Sequence, residues 1–186
     1  MSGASISLGV SLSETRWDAV YQAGLLIVVF VAAATASTVV SVMLRRWSLL
    51  VVLLLEAICL SGSAIMGGMG WRVSVAIFPI IAAMGIQNTA LSPVGGVRLG
   101  VTFMTGTLVS FGRELGRWLI GRVPWWRCLP HGLVWCAFVA GAGAGAALHI
   151  RYGFVAIVVP AITAWVLAAL AALAVKRTEN PDIRRL

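Results

Sequence analysis

Charged side chains are scarce in this sequence of 186 residues. Only 11% of the residues are charged, whereas 60% are hydrophobic and the mean hydropathy is +0.98. A water-soluble domain of this length would need a far larger polar surface. The composition therefore excludes a soluble globular protein. It predicts an all-α, polytopic helical membrane protein with one membrane domain over residues 1–186.

Residues that perform catalysis or bind metals are also few. The three cysteines, Cys59, Cys128 and Cys136, lack the spacing of metal ligands, and the two histidines, His131 and His149, lie far apart. The sequence shows no nucleophile paired with a general base. We therefore expect no enzymatic activity, no cofactor and no metal.

Long apolar runs, by contrast, are abundant. A membrane span needs about 20 apolar residues, and five segments qualify: 21–44, 48–69, 73–91, 132–150 and 153–175. Basic residues bound these segments, and six of the eight tryptophans lie near the proposed ends, where interfacial aromatic residues accumulate. The sequence therefore predicts five transmembrane helices.

The 14 basic residues divide unequally between the two sides of the membrane. Three lie on one side: Arg16, Arg72 and Arg151. Eleven lie on the other: Arg45, Arg46, Arg98, Arg113, Arg117, Arg122, Arg127, Lys176, Arg177, Arg184 and Arg185. Because basic residues accumulate in the cytoplasm, the C-terminal tail, 177–186, is predicted to be cytoplasmic. The basic residues are distributed as in a membrane protein and do not cluster as in a nucleic-acid-binding surface. Nucleic acid is therefore not an expected partner.

Two stretches of the chain are near-copies of two others. Residues 1–9 return with small changes as 104–112, and the pattern of 24–36 returns in 132–144. Internal duplication in an apolar chain is typical of membrane proteins built from two related halves. We predict an incomplete first repeat at 1–70 and a second repeat at 73–176. With three spans in each complete repeat, an odd number, the two would be inverted relative to each other.

The first copy begins at Met1, whereas an apolar segment precedes the second copy. With five spans and a cytoplasmic C-terminus, the N-terminus would lie outside. A sixth span ahead of Met1 would complete the first repeat and correct the orientation. We therefore expect this chain to be a shortened form of a six-span protein.

The segment 85–107, between the third and fourth spans, contains a proline and two glycines that disfavour a continuous helix. It is nevertheless too apolar for an ordinary solvated loop. One interpretation is a broken or re-entrant element with short half-helices, in which Thr105, Gly106 and Thr107 bind an anion or a polar ligand at a helix N-terminus. The other is a plain helix cap, with glycines that let helices approach.

Residues 111–120 predict an amphipathic helix. Large apolar side chains, including that of Trp118, share one face, and Arg113 and Arg117 lie opposite. This pattern is typical of a helix in the cytoplasmic interface that is attracted to anionic lipid. Substrate binding by the arginines is the alternative.

Three polar residues lie within or at the end of predicted spans. Glu56 is near the middle of the second span, where a carboxyl costs about 2.5–3.5 kcal/mol, so it should face the bundle interior or carry a proton. It is either a proton or cation site or a protonated side chain bonded to a neighbouring helix. Gln87 and Asn88 either bind substrate or join helices by hydrogen bonds. The glycines at 141, 143 and 145 predict a small-residue helix contact rather than a dinucleotide site, because no strand precedes them.

Two motifs carry a family resemblance. Gly85-Ile86-Gln87-Asn88, followed by Val94-Gly95-Gly96, and the segment 102–109 resemble the YoaK family of bacterial inner-membrane proteins, which carry a domain of unknown function. The resemblance covers nearly the whole chain and implies a six-span fold in the bacterial inner membrane. It also implies that Ala4 stands where the family usually has asparagine. No established activity comes with it.

Two functional hypotheses follow. The first is a small-solute or ion transporter or channel whose site includes Glu56, Gln87, Asn88, Thr105, Gly106 and Thr107. The second is a non-transporting scaffold that binds a membrane partner through its small residues and basic face. The expected partners are the lipid bilayer and, as an open alternative, a second copy of the chain. The substrate is left unidentified.

Overall fold

The computed structural model of the protein describes residues 2–90 and 104–179, and every element in them is helical. The α-helices are α1 (Ser2–Ser13), α2 (Trp17–Met43), α3 (Ser48–Gly68), α4 (Val73–Ala90), α5 (Met104–Leu119), α6 (Leu129–Tyr152) and α7 (Val158–Glu179). Short 3₁₀ turns cover Trp125–Arg127 and Gly153–Ile157. The prediction of an all-α fold is confirmed.

Helices α2, α3, α4, α6 and α7 lie on the five apolar segments of the sequence. Trp17–Met43 and Ser48–Gly68 are long and apolar enough to cross a membrane, as is the 52-residue stretch Trp125–Lys176, which includes α6 and most of α7. Val73–Thr89 is apolar but shorter. The chain is therefore a polytopic membrane protein. The count of five spans stays a prediction.

Helices α1 and α5 are short, and the duplicated Met-Ser/Thr-Gly motif coincides with their starts at Ser2 and Met104, Met1 itself being outside the described residues. With 12 and 16 residues they are about 18 and 24 Å long, less than the roughly 30 Å of bilayer hydrocarbon. Each precedes a long apolar helix and then a helix of 21 or 22 residues. The two repeats and their inversion stay predictions.

The described helices form two compact units. The first contains α1 to α4 and α7, and the second contains α5 and α6. In the first unit, α4 packs between α2 and α3, α7 packs against α3, and α1 packs against α2. In the second unit, α5 packs against α6.

Small side chains form the core of the first unit. One buried cluster joins α3, α4 and α7: Ala57, Leu60, Ala83, Ala161 and Ala164. Helices in lipid gain little from hydrophobic burial, and small residues let their backbones approach closely. One such close approach is at Gly85 of α4, where an added Cβ would lie 2.6 Å from the carbonyl oxygen of Phe30 on α2.

Large apolar side chains cover the outside. Val28, Ile58, Ile65 and Ile162 are each more than half exposed. Such a surface suits lipid rather than water. In the part of the chain that the structure describes, no atom lies within 4 Å of an added Cβ at the glycines of positions 141, 143 and 145. A helix contact through these glycines therefore stays a prediction.

Candidate functional site

Glu56 lies on the packed face of α3. Its neighbours one turn away on either side, Val52 and Leu60, are 1% and 8% exposed, and Ser63 on the same face is 0% exposed. Ile58, on the opposite face, is 56% exposed. The helix therefore directs the carboxyl toward its neighbours in the bundle, where it is half-buried.

A hydrogen bond fixes the register between α3 and α4. The hydroxyl of Ser63 donates to the carbonyl oxygen of Ala76 at 2.6 Å, close to the short connection that reverses the chain. Glu56 precedes Ser63 by seven residues in α3, and Ala83 follows Ala76 by seven residues in α4. Glu56 and Ala83 therefore lie at the same height along the two antiparallel helices. Ala83 belongs to the same buried cluster as Ala57, the residue that follows Glu56.

Gln87 lies on the face of α4 that packs against α3. It follows Ala76 and Ala83 at helical spacing, and these two alanines are 0% and 3% exposed. Gln87 is one turn, about 6 Å, beyond the level of Glu56. Because side chains lean toward the N-terminus of their own helix, Glu56 and Gln87 lean toward each other across this antiparallel pair. Asn88 lies on another face, and its side-chain nitrogen donates to the carbonyl oxygen of Met84 at 2.6 Å.

The described helices around Glu56 offer its carboxyl no ion-pair partner. The helices α2, α3 and α4 contain no lysine or arginine. Among residues 2–90 and 104–179, no hydrogen bond or ion pair to the Glu56 carboxyl is formed. Nor do these residues contain a group of three or more metal-ligand side chains close enough to hold an ion. The interpretation of Glu56 as a proton or cation site stays a prediction.

The sequence analysis did not predict the polar contacts that join the helices near Glu56 and Gln87. The Ser37 and Thr89 hydroxyls lie 2.5 Å apart between α2 and α4, and Ser37 is 1% exposed. The indole nitrogen of Trp165 on α7 donates to the hydroxyl of Ser61 on α3 at 3.1 Å. Serine, threonine and tryptophan inside apolar spans were the available signal, since such residues hydrogen-bond across helices.

Thr105, Gly106 and Thr107 lie in the first turn of α5, as the sequence predicts. Thr105 and Gly106 are exposed, and Thr107 is half-buried. The first N–H groups of a helix lack intrahelical partners and favour anions or polar groups. These three residues belong to the second unit, whereas Glu56, Gln87 and Asn88 belong to the first.

The predicted amphipathic helix forms in α5. Its apolar face packs on α6, where an added Cβ at Gly132 would lie 3.2 Å from the Phe111 ring. Arg113 and Arg117 are exposed, and Arg117 forms an ion pair with Glu114 at 2.8 Å. Trp118 is 43% exposed near the end of the helix. The helix therefore leaves Arg113 and Arg117 exposed, with Trp118 partly exposed near its end.

Comparison with known proteins gives one family and one similar protein to report. The family described as "Protein of unknown function (DUF1275)" matches residues 1–170. A UPF0700 transmembrane protein of Rhizobium meliloti (strain 1021) is 39% identical over 95 residues, which cover 50% of this chain. The matched region spans 40% of the length of that relative. No solved structure matches the chain.

Proposed function

The chain belongs to the DUF1275 family, and from that premise we propose that it moves a small solute or an ion across the membrane. Membership in this family agrees with the resemblance to the YoaK proteins, and the chain is a multi-pass membrane protein. The proposal concerns transport rather than enzymatic catalysis. The specific solute is left open.

The observation that carries the proposal is the placement of Glu56 opposite Gln87. These two residues lie on neighbouring helices, α3 and α4, at levels about one turn apart, and neither helix contains a lysine or an arginine. Ionisable residues inside membrane segments usually mark ion pathways or proton relays. Glu56 would take up a proton or a cation, and Gln87 would hold the solute or its water by hydrogen bonds. Asn88 and the first turn of α5 are further candidates for solute binding.

A flux assay tests this proposal on the whole chain. Purified protein would be reconstituted into vesicles, with entrapped pyranine reporting proton flux and light scattering reporting the uptake of a panel of small solutes. We expect flux with the unchanged protein and its loss with Glu56→Gln, which keeps the size of the side chain but removes its charge and its proton. Glu56→Asp should retain part of the flux.

The matched control is Glu14→Gln. It removes an exposed carboxyl whose only ion pair among the described residues is a 3.4 Å contact with Arg16. Its flux should equal that of the unchanged protein. Equal flux with Glu56→Gln would remove Glu56 from the mechanism. Absence of flux for the whole solute panel would contradict transport and favour the non-transporting scaffold.

We further propose that the protein lies in the bacterial inner membrane with its C-terminus in the cytoplasm. The distribution of basic residues supports this orientation. Fusions at the C-terminus would test it: green fluorescent protein should fluoresce there, and alkaline phosphatase should be inactive. Active phosphatase would place the C-terminus on the outer side.

A further inference from the structure

We propose that residues 113–127, here called the basic–aromatic turn, form a binding surface for the headgroups of anionic phospholipids. The turn comprises the second half of α5 and the connection to α6. The proposal concerns the membrane around the protein and does not depend on transport.

The charge of the basic–aromatic turn is strongly positive. It contains four arginines and a single acid, Glu114, which pairs with Arg117 at 2.8 Å. The other three arginines, Arg113, Arg122 and Arg127, are exposed, and they form no ion pair within the described residues. Guanidinium groups match phosphate geometry because they donate two parallel hydrogen bonds. An anionic headgroup is therefore complementary to this surface.

Exposed aromatic and aliphatic side chains lie among these arginines. Trp118, Trp125 and Trp126 are 43%, 55% and 59% exposed, and the last two meet edge to face with ring centres 6.4 Å apart. Leu119 and Ile120 are 71% and 69% exposed. A water-exposed loop gains nothing from such residues. At the boundary between headgroups and acyl chains, tryptophan and leucine bury their apolar surface.

The backbone holds the turn at one end of an apolar helix. Gly121 has a φ of +69°, a conformation that glycine adopts without strain, and the chain reverses there between α5 and α6. The Phe111 ring lies close to Gly132 and packs α5 against the first turns of α6. Because α6 is an apolar helix that begins at Leu129, its start lies close to a membrane surface. The arginines are therefore at the depth of lipid headgroups.

The test measures which lipid lies next to the tryptophans of the full chain. Protein in dodecylphosphocholine micelles would be titrated with dibrominated phosphatidylglycerol or dibrominated phosphatidylcholine, which quench tryptophan fluorescence. We expect the anionic lipid to quench at a lower mole fraction. Replacing one arginine should weaken this preference about fivefold, the equivalent of about 1 kcal/mol. The triple variant Arg113→Gln, Arg122→Gln, Arg127→Gln should lose nearly all of it.

The matched control is the triple variant Arg16→Gln, Arg72→Gln, Arg151→Gln, which changes the net charge equally outside the turn. It should keep the preference. Inorganic phosphate at constant ionic strength should not reverse the quenching, and reversal would assign the site to a free anion. Circular dichroism and equal quenching by phosphatidylcholine would show that both variants fold. Equal quenching by the two lipids with the unchanged protein would overturn the proposal, as would loss of the preference in the control.

Discussion

The contact between α2 and α4 at Gly85 yields a prediction with a defined size. An alanine Cβ at this position would lie 2.6 Å from the carbonyl oxygen of Phe30 and 3.2 Å from the Cβ of Ala33, whereas ordinary contact begins at 3.4 Å. The nearest atom is backbone and cannot turn aside, so the two helices must separate. Overpacking of this kind costs about 1–3 kcal/mol. The separation would also stretch the bond between Ser37 and Thr89, which joins the same two helices.

The matched control for Gly85→Ala is Gly62→Ala on α3, where an added Cβ meets no atom within 4 Å. Replacing glycine by alanine inside a helix stabilises the helix by about 0.5–1 kcal/mol, and this gain is the same for both variants. Their difference therefore isolates the steric effect and should be about 1–3 kcal/mol in favour of Gly62→Ala. The free energy of unfolding would be measured by SDS titration in mixed micelles, with circular dichroism as the signal. Equal stabilities of the two variants would refute the close approach at Gly85.

Three further predictions each concern one contact, and the same SDS titration would measure the free energy of unfolding of each variant. Ser63→Ala removes the buried hydrogen bond between α3 and α4 and should lower the free energy of unfolding by about 0.6 kcal/mol, an average for such bonds in membranes; an unchanged value would contradict it. Gly132→Leu should lower the free energy of unfolding, because the leucine would collide with the Phe111 ring between α5 and α6. Adding Phe111→Ala should restore the lost stability, and failure of this rescue would count against the packing of Phe111 on Gly132. Trp165→Phe and Ser61→Ala should show a coupling energy of about 0.6 kcal/mol in a double-mutant cycle, whereas simple additivity would disprove their hydrogen bond.

Local pattern was sufficient to predict the helices and several of their faces. Apolar runs bounded by arginine coincide with α2, α3, α4, α6 and α7. Alternating charge and apolar residues predicted the faces of α5, because a helix brings every third or fourth residue to one side. The start of α5 at Met104 follows the duplicated motif. These features depend on neighbours within a few turns of one helix.

Contacts between distant parts of the chain could not be predicted in this way. The level of Glu56 relative to Gln87 depends on the short connection after α3 and on the bond from Ser63. The packing of α7 on α3 depends on Trp165, which lies 104 residues from its partner Ser61. A single sequence contains no information on which faces of two helices meet. The relative level of Glu56 and Gln87 along the two helices therefore emerged only from the structure.

The energies bear on the two interpretations of Glu56. A carboxyl near the middle of the bilayer costs about 2.5–3.5 kcal/mol, whereas a hydrogen bond between membrane helices returns about 0.6 kcal/mol on average. Glu56 forms no such bond within the described ranges 2–90 and 104–179. A leucine would continue the apolar run before it and would avoid this cost. A carboxyl that carries this cost supports the proposed polar pathway between α3 and α4, and the flux assay with Glu56→Gln decides between that pathway and an inert scaffold.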